Sequence, residues 1–324
     1  MKQLTRISIF FSGLVFLLTA CSNEDDSKIL KEVEAQNLNI EVHRFDRAFA
    51  EAQPSDLPQL KKEYPYFFNP EIPDSLWIDK MSDSLQNVID HEVFQVFDDF
   101  SSSKENVERF YKYVNHYFPE VNKPVIYTLA ENVDYKHKAV VVDSLLFIAL
   151  DNYLGREHEF YTDFETYIRN YQDKAYMLSD IAQVYGESLT PQAQTRQFLA
   201  IMVYYGKLLY FKDITLPFES DAVKIYYTDA QLEWAKDNEK QTWQHFVENE
   251  MVYSTKSDLK ERFINLAPFS KFYLGVDNES SPRMGQYIGW QIVRDFMRKN
   301  PDVSPEAMLG MTAVEIFNQA NYKP

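Results

Sequence analysis

The chain has 324 residues, enough for one large domain or two small ones, and 45% of them are hydrophobic, so a substantial core can form. Only 8 residues are glycine, which argues against glycine-rich phosphate-binding loops and turn-dense all-β folds. The formal net charge of −16 would repel the phosphate backbone of nucleic acids, so we expect no nucleic-acid partner.

The first 21 residues have the pattern of an exported lipoprotein. Lys2 and Arg6 are followed by an apolar run at 7–18, which at about a dozen residues is too short to span a bilayer but typical of a signal peptide. The run ends in Leu18-Thr19-Ala20-Cys21, which resembles a bacterial lipobox. We therefore predict a signal peptide at 1–20 and acylation of Cys21, with chains such as palmitate. An ordinary cleaved signal followed by an incidental cysteine is the alternative.

Cys21 is the only cysteine of the chain. Once it is acylated, no thiol is left for a disulfide or for thiolate catalysis. The residues that follow, 22–28, are polar and acidic, which predicts a flexible tether over 21–36. A single globular domain is then expected over 37–324.

The first part of this domain should contain one short strand and two helices. Residues 40–43 alternate like a strand. From 76 to 97, apolar residues recur at every third or fourth position, which predicts one long amphipathic helix. Inside it, the segment 91–95 (HEVFQ) is close to the zinc motif HExxH, but glutamine stands at the second ligand position, so we expect no zinc there. A second helix is expected over 104–118.

Three segments near the middle of the chain have the composition of β-strands, namely 124–129, 139–142 and 145–150. β-Branched and aromatic residues dominate them. A helix follows at 175–186, where apolar residues recur at helical spacing. The sequence therefore predicts an α+β fold, predominantly helical, with one small sheet at about residues 124–150 packed against several amphipathic helices.

Thr190-Pro191 predicts the start of the next helix, with threonine as N-cap and proline at the first helical position. This helix is apolar around most of its circumference, so we expect it to be central. Gly206 in its interior costs about 1 kcal/mol relative to alanine, and a close crossing of two backbones would explain it. For Lys207 we expect a side chain that reaches outward to solvent rather than a buried ion pair.

Helix-start signals recur in the last third of the chain. Residues 228–231 (TDAQ) form a capping box, in which the glutamine side chain reaches back to the threonine backbone. Ser281-Pro282 and Ser304-Pro305 each place proline directly after a capping serine. We therefore predict a helix start at each of these three sites.

The lipobox and four further motifs stand in an order and spacing that resemble the GldB family, lipoproteins of gliding bacteria, over nearly the whole chain. The motifs are Arg44-Phe45-Asp46, Asp151-Asn152-Tyr153-Leu154-Gly155, Tyr205-Gly206-Lys207 with Tyr210, and Ile288-Gly289-Trp290-Gln291-Ile292-Val293. The resemblance implies a cell-envelope lipoprotein required for gliding motility, working with other gliding proteins near the type IX secretion machinery. It also implies a lipid anchor, in the outer membrane in preference to the inner one.

GldB-like proteins are in turn distantly similar to predicted zinc-dependent peptidases of the zincin type, which carry HExxH and then a Glu-Gly pair on a later helix. By that similarity, Ser179 and Gln183 stand where two histidine ligands are needed one turn apart, and Asp180 stands where glutamate acts as general base. Tyr205 occupies the acidic position of the second motif, while Gly206 keeps its glycine. The resemblance therefore implies a zincin-like fold with a degenerate site that has no catalytic residue and no metal ligand.

Two classes of function follow from these observations. The first is a non-catalytic, lipid-anchored scaffold or binding subunit without a cofactor, with the membrane and other gliding or type IX secretion proteins as partners. It fits the six scattered histidines, of which no two are four residues apart; they are His43, His91, His116, His137, His158 and His245.

The alternative is a metal-dependent hydrolase that gathers carboxylates such as Asp180 and Glu187 with a distant histidine. Such ligands suit Ca²⁺ or Mg²⁺ better than Zn²⁺. A Ser-His-Asp hydrolase has less support, because no Gly-x-Ser-x-Gly motif occurs.

Overall fold

The computed structural model describes residues 30–275 and 277–324. Contacts between residues divide the chain after Asn37 into two units. In the first unit the described residues are 30–37, of which 30–34 are helical. The predicted signal peptide at 1–20, Cys21 and the first part of the predicted tether lie outside the described residues. Over the described ranges, no helix combines the length and the apolar character that crossing a membrane requires.

The second unit, Leu38–Pro324, is mostly helical and contains one small sheet. Its strands are β1 (Glu41–Arg44), β2 (Val125–Leu129), β3 (Ala139–Val142) and β4 (Leu145–Ala149). Its α-helices within the described residues are α1 (Phe45–Ala50), α2 (Leu57–Glu63), α3 (Asp74–Met81), α4 (Ser84–Val96), α5 (Ser101–Tyr117), α6 (Thr166–Arg169), α7 (Met177–Leu189), α8 (Phe198–Thr215), α9 (Asp221–Ile225), α10 (Asp229–Asp237), α11 (Glu239–Glu248), α12 (Asp258–Phe263), α13 (Met284–Lys299), α14 (Pro305–Gly310) and α15 (Ala313–Ala320). Short 3-10 turns occur at Pro54–Asp56, Pro65–Phe67, Leu150–Asn152, Glu159–Tyr161, Lys174–Tyr176 and Asp277–Glu279. The predicted α+β, predominantly helical class is confirmed, and the zincin-like similarity stays a prediction.

The sheet has the strand order β1-β2-β4-β3. β2 runs parallel to both β1 and β4, and β3 pairs with β4 in the antiparallel direction through a tight turn at 143–144. Ile126, Leu146 and Ile148 are fully buried and place the core on one face of the sheet. The three predicted strands are confirmed. The sheet also extends beyond the predicted range of about 124–150, because β1 adds an edge strand from the start of the domain.

α8 is the central helix of the fold, as predicted, and its largest helix–helix contact is with α13. The two backbones cross at Gly206 and Gly289. A Cβ built on Gly206 would lie 2.2 Å from the carbonyl oxygen of Gly289, and one on Gly289 would lie 1.8 Å from that of Met202. Since no side chain fits between them, the close crossing expected from the mid-helix glycine is confirmed.

The predicted helix over 76–97 is wrong in its continuity, because the structure divides it into α3 and α4. The break falls at 82–83, where the carboxylate of Asp83 accepts hydrogen bonds from the backbone amides of Leu85 and Gln86. An aspartate that caps the first turn starts a new helix. The apolar periodicity on either side is equally compatible with one helix or two, so this local hydrogen bonding decides.

The helix start predicted at Thr190-Pro191 is also wrong. α8 begins at Phe198, eight residues after Thr190, and 190–197 are not helical. The backbone amide of Phe198 donates to the carbonyl of Ser254 at 2.9 Å, and that of Leu199 donates to Val252 at 2.8 Å. The orphan donors of a first turn need partners, and here a distant segment supplies them instead of a local cap.

Two of the three helix starts predicted in the last third of the chain are confirmed. The capping box at Thr228 and Gln231 has both of its hydrogen bonds, and Ser304 caps α14 with Pro305 at its first position. α13 begins at Met284 rather than at Pro282, with Arg283 as its N-cap in a left-handed conformation.

The expectation that Lys207 reaches out to solvent is wrong. Its side chain is buried, and its Nζ donates to the carbonyl oxygens of Leu309 at 2.8 Å and Met311 at 2.5 Å. Burial lowers the pKa of Lys207 to about 8. The lysine therefore joins α8 to the end of α14 through hydrogen bonds to backbone acceptors.

We predict that Gly206→Ala destabilises the protein by about 3 kcal/mol or more, because the added methyl group meets backbone atoms of α13 that no side-chain rotation can move. Urea unfolding followed by circular dichroism measures the change. The matched control is Gly310→Ala, where nothing lies within 4 Å of the new Cβ and where we expect a change within about 0.5 kcal/mol. Equal stability of the two variants would contradict the close crossing.

Candidate functional site

The structure brings three of the five predicted site residues to one place. Ser179, Asp180 and Gln183 lie on α7, and Asp180 and Gln183 line a pocket of about 250 Å³. Tyr205 and Gly206 lie on α8, which packs against α7, but they do not line this pocket. Gly206 serves the crossing with α13, and Tyr205 is half-buried against the core. We call this cavity the Asp180 pocket.

Asp180 is the centre of a hydrogen-bond cluster. Its carboxylate accepts from the hydroxyl of Tyr226 at 2.6 Å and from that of Tyr153 at 3.1 Å, and the Nζ of Lys138 lies 3.5 Å away. Burial, together with the negative charge of Asp180, holds the pKa of both tyrosines well above the ordinary value. Side chains of this chain thus pair with the carboxylate and donate hydrogen bonds to it, so it neither caps α7 nor is merely solvated.

Beneath Asp180, a buried ammonium group lies against the hydroxyl of Ser179. The Nζ of Lys212, on α8, donates to the Oγ of Ser179 at 3.0 Å and to the backbone carbonyl of Lys224 at 3.1 Å. The same ammonium lies 4.5 Å from the ring centroid of Tyr226. The side chain is fully buried, and burial lowers its pKa to about 7. At neutral pH this lysine is therefore partly charged, and it lies beside residue 179, the position at which the resemblance to zincins places a metal ligand.

Glu187, the second carboxylate considered for an alternative metal site, is hydrogen-bonded to a neighbour on its own helix and not to Asp180 or its tyrosine partners. Gln183 donates to Glu187 at 2.8 Å, one turn along the exposed side of α7. Burial raises the pKa of Tyr205, and the negative charge of Glu187 raises it further. Across the described part of the chain, no group of three or more histidine, cysteine, aspartate or glutamate side chains is arranged to hold a metal ion.

The near-motif at 91–95 has a structural use. Its Glu92 pairs with His158 at 3.1 Å and thereby ties α4 to the loop after the sheet. His137 pairs with Asp134 at 2.7 Å, and His43 stacks on Tyr127 with ring centroids 4.7 Å apart. The histidines are used singly, in separate parts of the domain.

Two residues of the Asp180 pocket, Tyr226 and Arg283, were not identified from the sequence. Both have left-handed backbones, with φ of +58° and +55°. Bulky residues rarely adopt this conformation, which costs on the order of 1–3 kcal/mol per residue and is concentrated at functional sites. Arg283 donates through Nη2 to the carbonyl of Tyr226 at 2.8 Å, so the two strained residues hold each other.

The sequence contained one signal for the buried part of this site and none for its rim. A lysine in a helix that is apolar all round, as Lys212 is in α8, must bury its charge or find acceptors. Arg283 and Tyr226 are separated by 57 positions and meet only through the tertiary fold. Their left-handed conformations have no local signature, since neither is glycine or asparagine.

We predict that the buried Lys212 makes stability rise with pH. The lysine has a pKa of about 7 in the folded protein and 10.5 when exposed, so between these values the unfolded chain binds more protons. The free energy of unfolding should therefore increase across this window, by at most about 1.4 kcal/mol per pH unit for one proton, and this gain is lost as the pH falls from 10.5 to about 7. Urea unfolding from pH 7 to 9 measures the slope.

Two variants assign this slope. Lys212→Met should flatten it, and most clearly between pH 7 and 8, because the other buried lysine, Lys207, has a pKa of about 8. Lys236→Met changes an exposed lysine on α10 and should leave the slope as it is. An unchanged slope in Lys212→Met would show that Lys212 keeps its ordinary pKa.

Comparison with known proteins gives one match. Residues 26–324 match the family model described as gliding motility protein GldB. No curated protein matches the chain. No solved structure matches it either.

Proposed function

Because the chain belongs to the GldB family of gliding motility proteins, we propose that it acts as a lipid-anchored, non-catalytic binding subunit of the gliding and type IX secretion machinery. The proposal includes export by the signal peptide at 1–20 and attachment to the cell envelope through acylated Cys21. We propose that the lipid anchor lies in the outer membrane rather than in the inner one. Its partners would be other proteins of the same machinery.

One observation carries the non-catalytic part of the proposal. The ammonium of Lys212 lies 3.0 Å from Ser179 Oγ, at the position where the resemblance to zincins requires the first histidine ligand. A partly charged lysine repels a divalent cation, and its own hydrogen bonds already occupy the serine and the carbonyl of Lys224. The chemistry of the residues present therefore opposes a metal at this place.

A hydrolase with unusual ligands is less consistent with these contacts. Asp180 is held by two tyrosine hydroxyls and faces Lys138, so binding a metal would require it to exchange these partners. A general base must also be within hydrogen-bond reach of a water or substrate and have a matched pKa. Asp180 already accepts hydrogen bonds from two tyrosine hydroxyls, so these donors occupy the carboxylate that a water or substrate would need.

The non-catalytic role predicts that the purified full-length protein retains far less than one equivalent of Zn²⁺, Ca²⁺ or Mg²⁺ after incubation and desalting, and that it cleaves no peptide in a mixed library. Elemental analysis and mass spectrometry measure both. The matched variant is Glu187→Gln, which removes the exposed carboxylate of the pocket. One equivalent of metal in the wild type that is lost in Glu187→Gln would favour the hydrolase.

The lipid anchor predicts that Cys21→Ala releases the protein from the membrane fraction and strongly reduces gliding, because no acyl chain can be attached. Cell fractionation and colony spreading of a deletion strain carrying each variant measure these effects. Ser22→Ala, at the neighbouring position, is the control and should stay membrane-bound and support gliding. Full gliding by a Cys21→Ala protein that remains in the membrane would contradict the anchor.

A further inference from the structure

Arg283 is a buried cation that faces the Asp180 pocket without a counter-ion. Its side chain is 8% exposed, and it forms no ion pair with any carboxylate in the described ranges. Its guanidinium donates to the carbonyl of Tyr226 through Nη2 and is hydrogen-bonded to the side chain of Tyr171, while Nε has no hydrogen-bond partner in the described residues. A buried charge is normally paired, and leaving it unpaired costs several kcal/mol. The acceptors that this guanidinium has are neutral, so its charge is left for an anion to balance.

The walls around Arg283 are aromatic and already in place. The guanidinium carbon lies 5.3 Å from the ring centroid of Tyr226 and 5.7 Å from that of Tyr171. These rings meet edge to face at 5.5 Å, and Lys138 donates to the carbonyl of Tyr171 at 2.8 Å. Rings and backbone fix the guanidinium from two sides, so little ordering would accompany binding.

The charge balance of the pocket selects a singly charged anion. Three cationic side chains line it, Lys136, Lys138 and Arg283, and two carboxylates oppose them, Asp180 and Glu187. Lys138 is paired with Asp180, which leaves a surplus of about one positive charge. A phosphate, with about two negative charges at neutral pH, would meet the field of both carboxylates. A carboxylate needs one positive charge and accepts charge-assisted hydrogen bonds from a guanidinium.

The size and lining of the pocket indicate what carries the carboxylate. About 250 Å³ is below the range of roughly 300–1,000 Å³ for sites that enclose a drug-sized ligand. Ile168, Val184 and Leu266 add apolar surface beside the tyrosines. A cavity of this kind suits one amino-acid residue with an apolar part, rather than a nucleotide or a sugar chain.

We propose that the Asp180 pocket binds a carboxylate of a partner polypeptide, either its C-terminal carboxylate or an acidic side chain, with Arg283 as the group that receives it. This inference rests on the proposed role as a binding subunit and names the chemistry that the subunit recognises. Recognition of a chain terminus by fixed donors is a common mode of peptide binding.

The test uses the purified full-length protein and three N-acetylated peptides. The first is Ala-Ala-Ala-Leu with a free C-terminal carboxylate, the second is the same peptide as its amide, and the third is the amide of Ala-Glu-Ala-Leu. Inorganic phosphate is a fourth probe. Saturation-transfer NMR gives the affinities, and mass spectrometry of the same mixtures reports any cleavage. We expect binding of the first or third peptide, or of both, at least tenfold tighter than that of the second.

Two variants locate the binding at the pocket. Arg283→Gln should abolish the preference for the carboxylate. Arg283 also supports the backbone of Tyr226, so a second variant keeps the test independent of how well Arg283→Gln folds. This variant is Leu266→Glu, which changes a residue with 39% exposure at the rim of the pocket. Its added negative charge should weaken binding about fivefold or more. The matched control is Leu76→Glu, an exposed leucine on α3 outside the pocket, which should bind as the wild type does.

The outcomes separate this inference from the proposed function. A C-terminal or a side-chain carboxylate that binds and is weakened by Leu266→Glu supports it and identifies the source. Equal binding of the amide, tighter binding of phosphate, no binding, or no effect of Leu266→Glu overturns it and leaves the non-catalytic role standing. Cleavage of a bound peptide would instead overturn the non-catalytic role while keeping the carboxylate site.

Discussion

The contact on which the rest of the structure depends is the crossing of α8 and α13 at Gly206 and Gly289. The backbones approach so closely there that neither position has room for a methyl group. Contacts on both sides of the crossing fix the direction of the pair. The ring of Phe198 lies at Gly285, before the crossing, and Asp213 binds Arg294, after it. The two helices therefore run in the same direction and form one rigid layer.

This layer determines where the polar groups of the pocket lie. Lys212 is six residues beyond Gly206 on α8, and Arg283 directly precedes α13. Asp213, next to Lys212, accepts from Trp290 Nε1 at 2.8 Å and from Arg294 at 2.7 Å. These hydrogen bonds hold α8 and α13 together, and the neighbouring ammonium of Lys212 contacts Ser179 and the ring of Tyr226. A shift at the glycines would therefore displace Lys212, which lies beneath the pocket, together with Arg283 in its wall.

The secondary structure was more predictable from the sequence than the site was, for physical reasons that individual residues illustrate. Strands β2, β3 and β4 and the capping box at Thr228 depend on residues close in sequence, and all were predicted. The start of α8 depends on carbonyl acceptors at 252 and 254, more than 50 residues away, so the local signal at Thr190-Pro191 was misleading. Lys207 was misjudged because only a carboxylate was considered as a buried partner, whereas the structure uses the backbone carbonyls that a helix end leaves free.

The Asp180 pocket departs from local rules in a way that fits the binding role proposed above. Natural sequences satisfy most local preferences, and the exceptions concentrate at functional sites. Here the exceptions are the left-handed backbones of Tyr226 and Arg283 and the absence of a carboxylate partner for Arg283 in the described residues. The only carboxylate deep in the pocket, Asp180, is by contrast completely paired. A reaction would require a reactive group left free and activated. A binding site requires a fixed group whose partner is absent until the ligand arrives, and Arg283 meets that description.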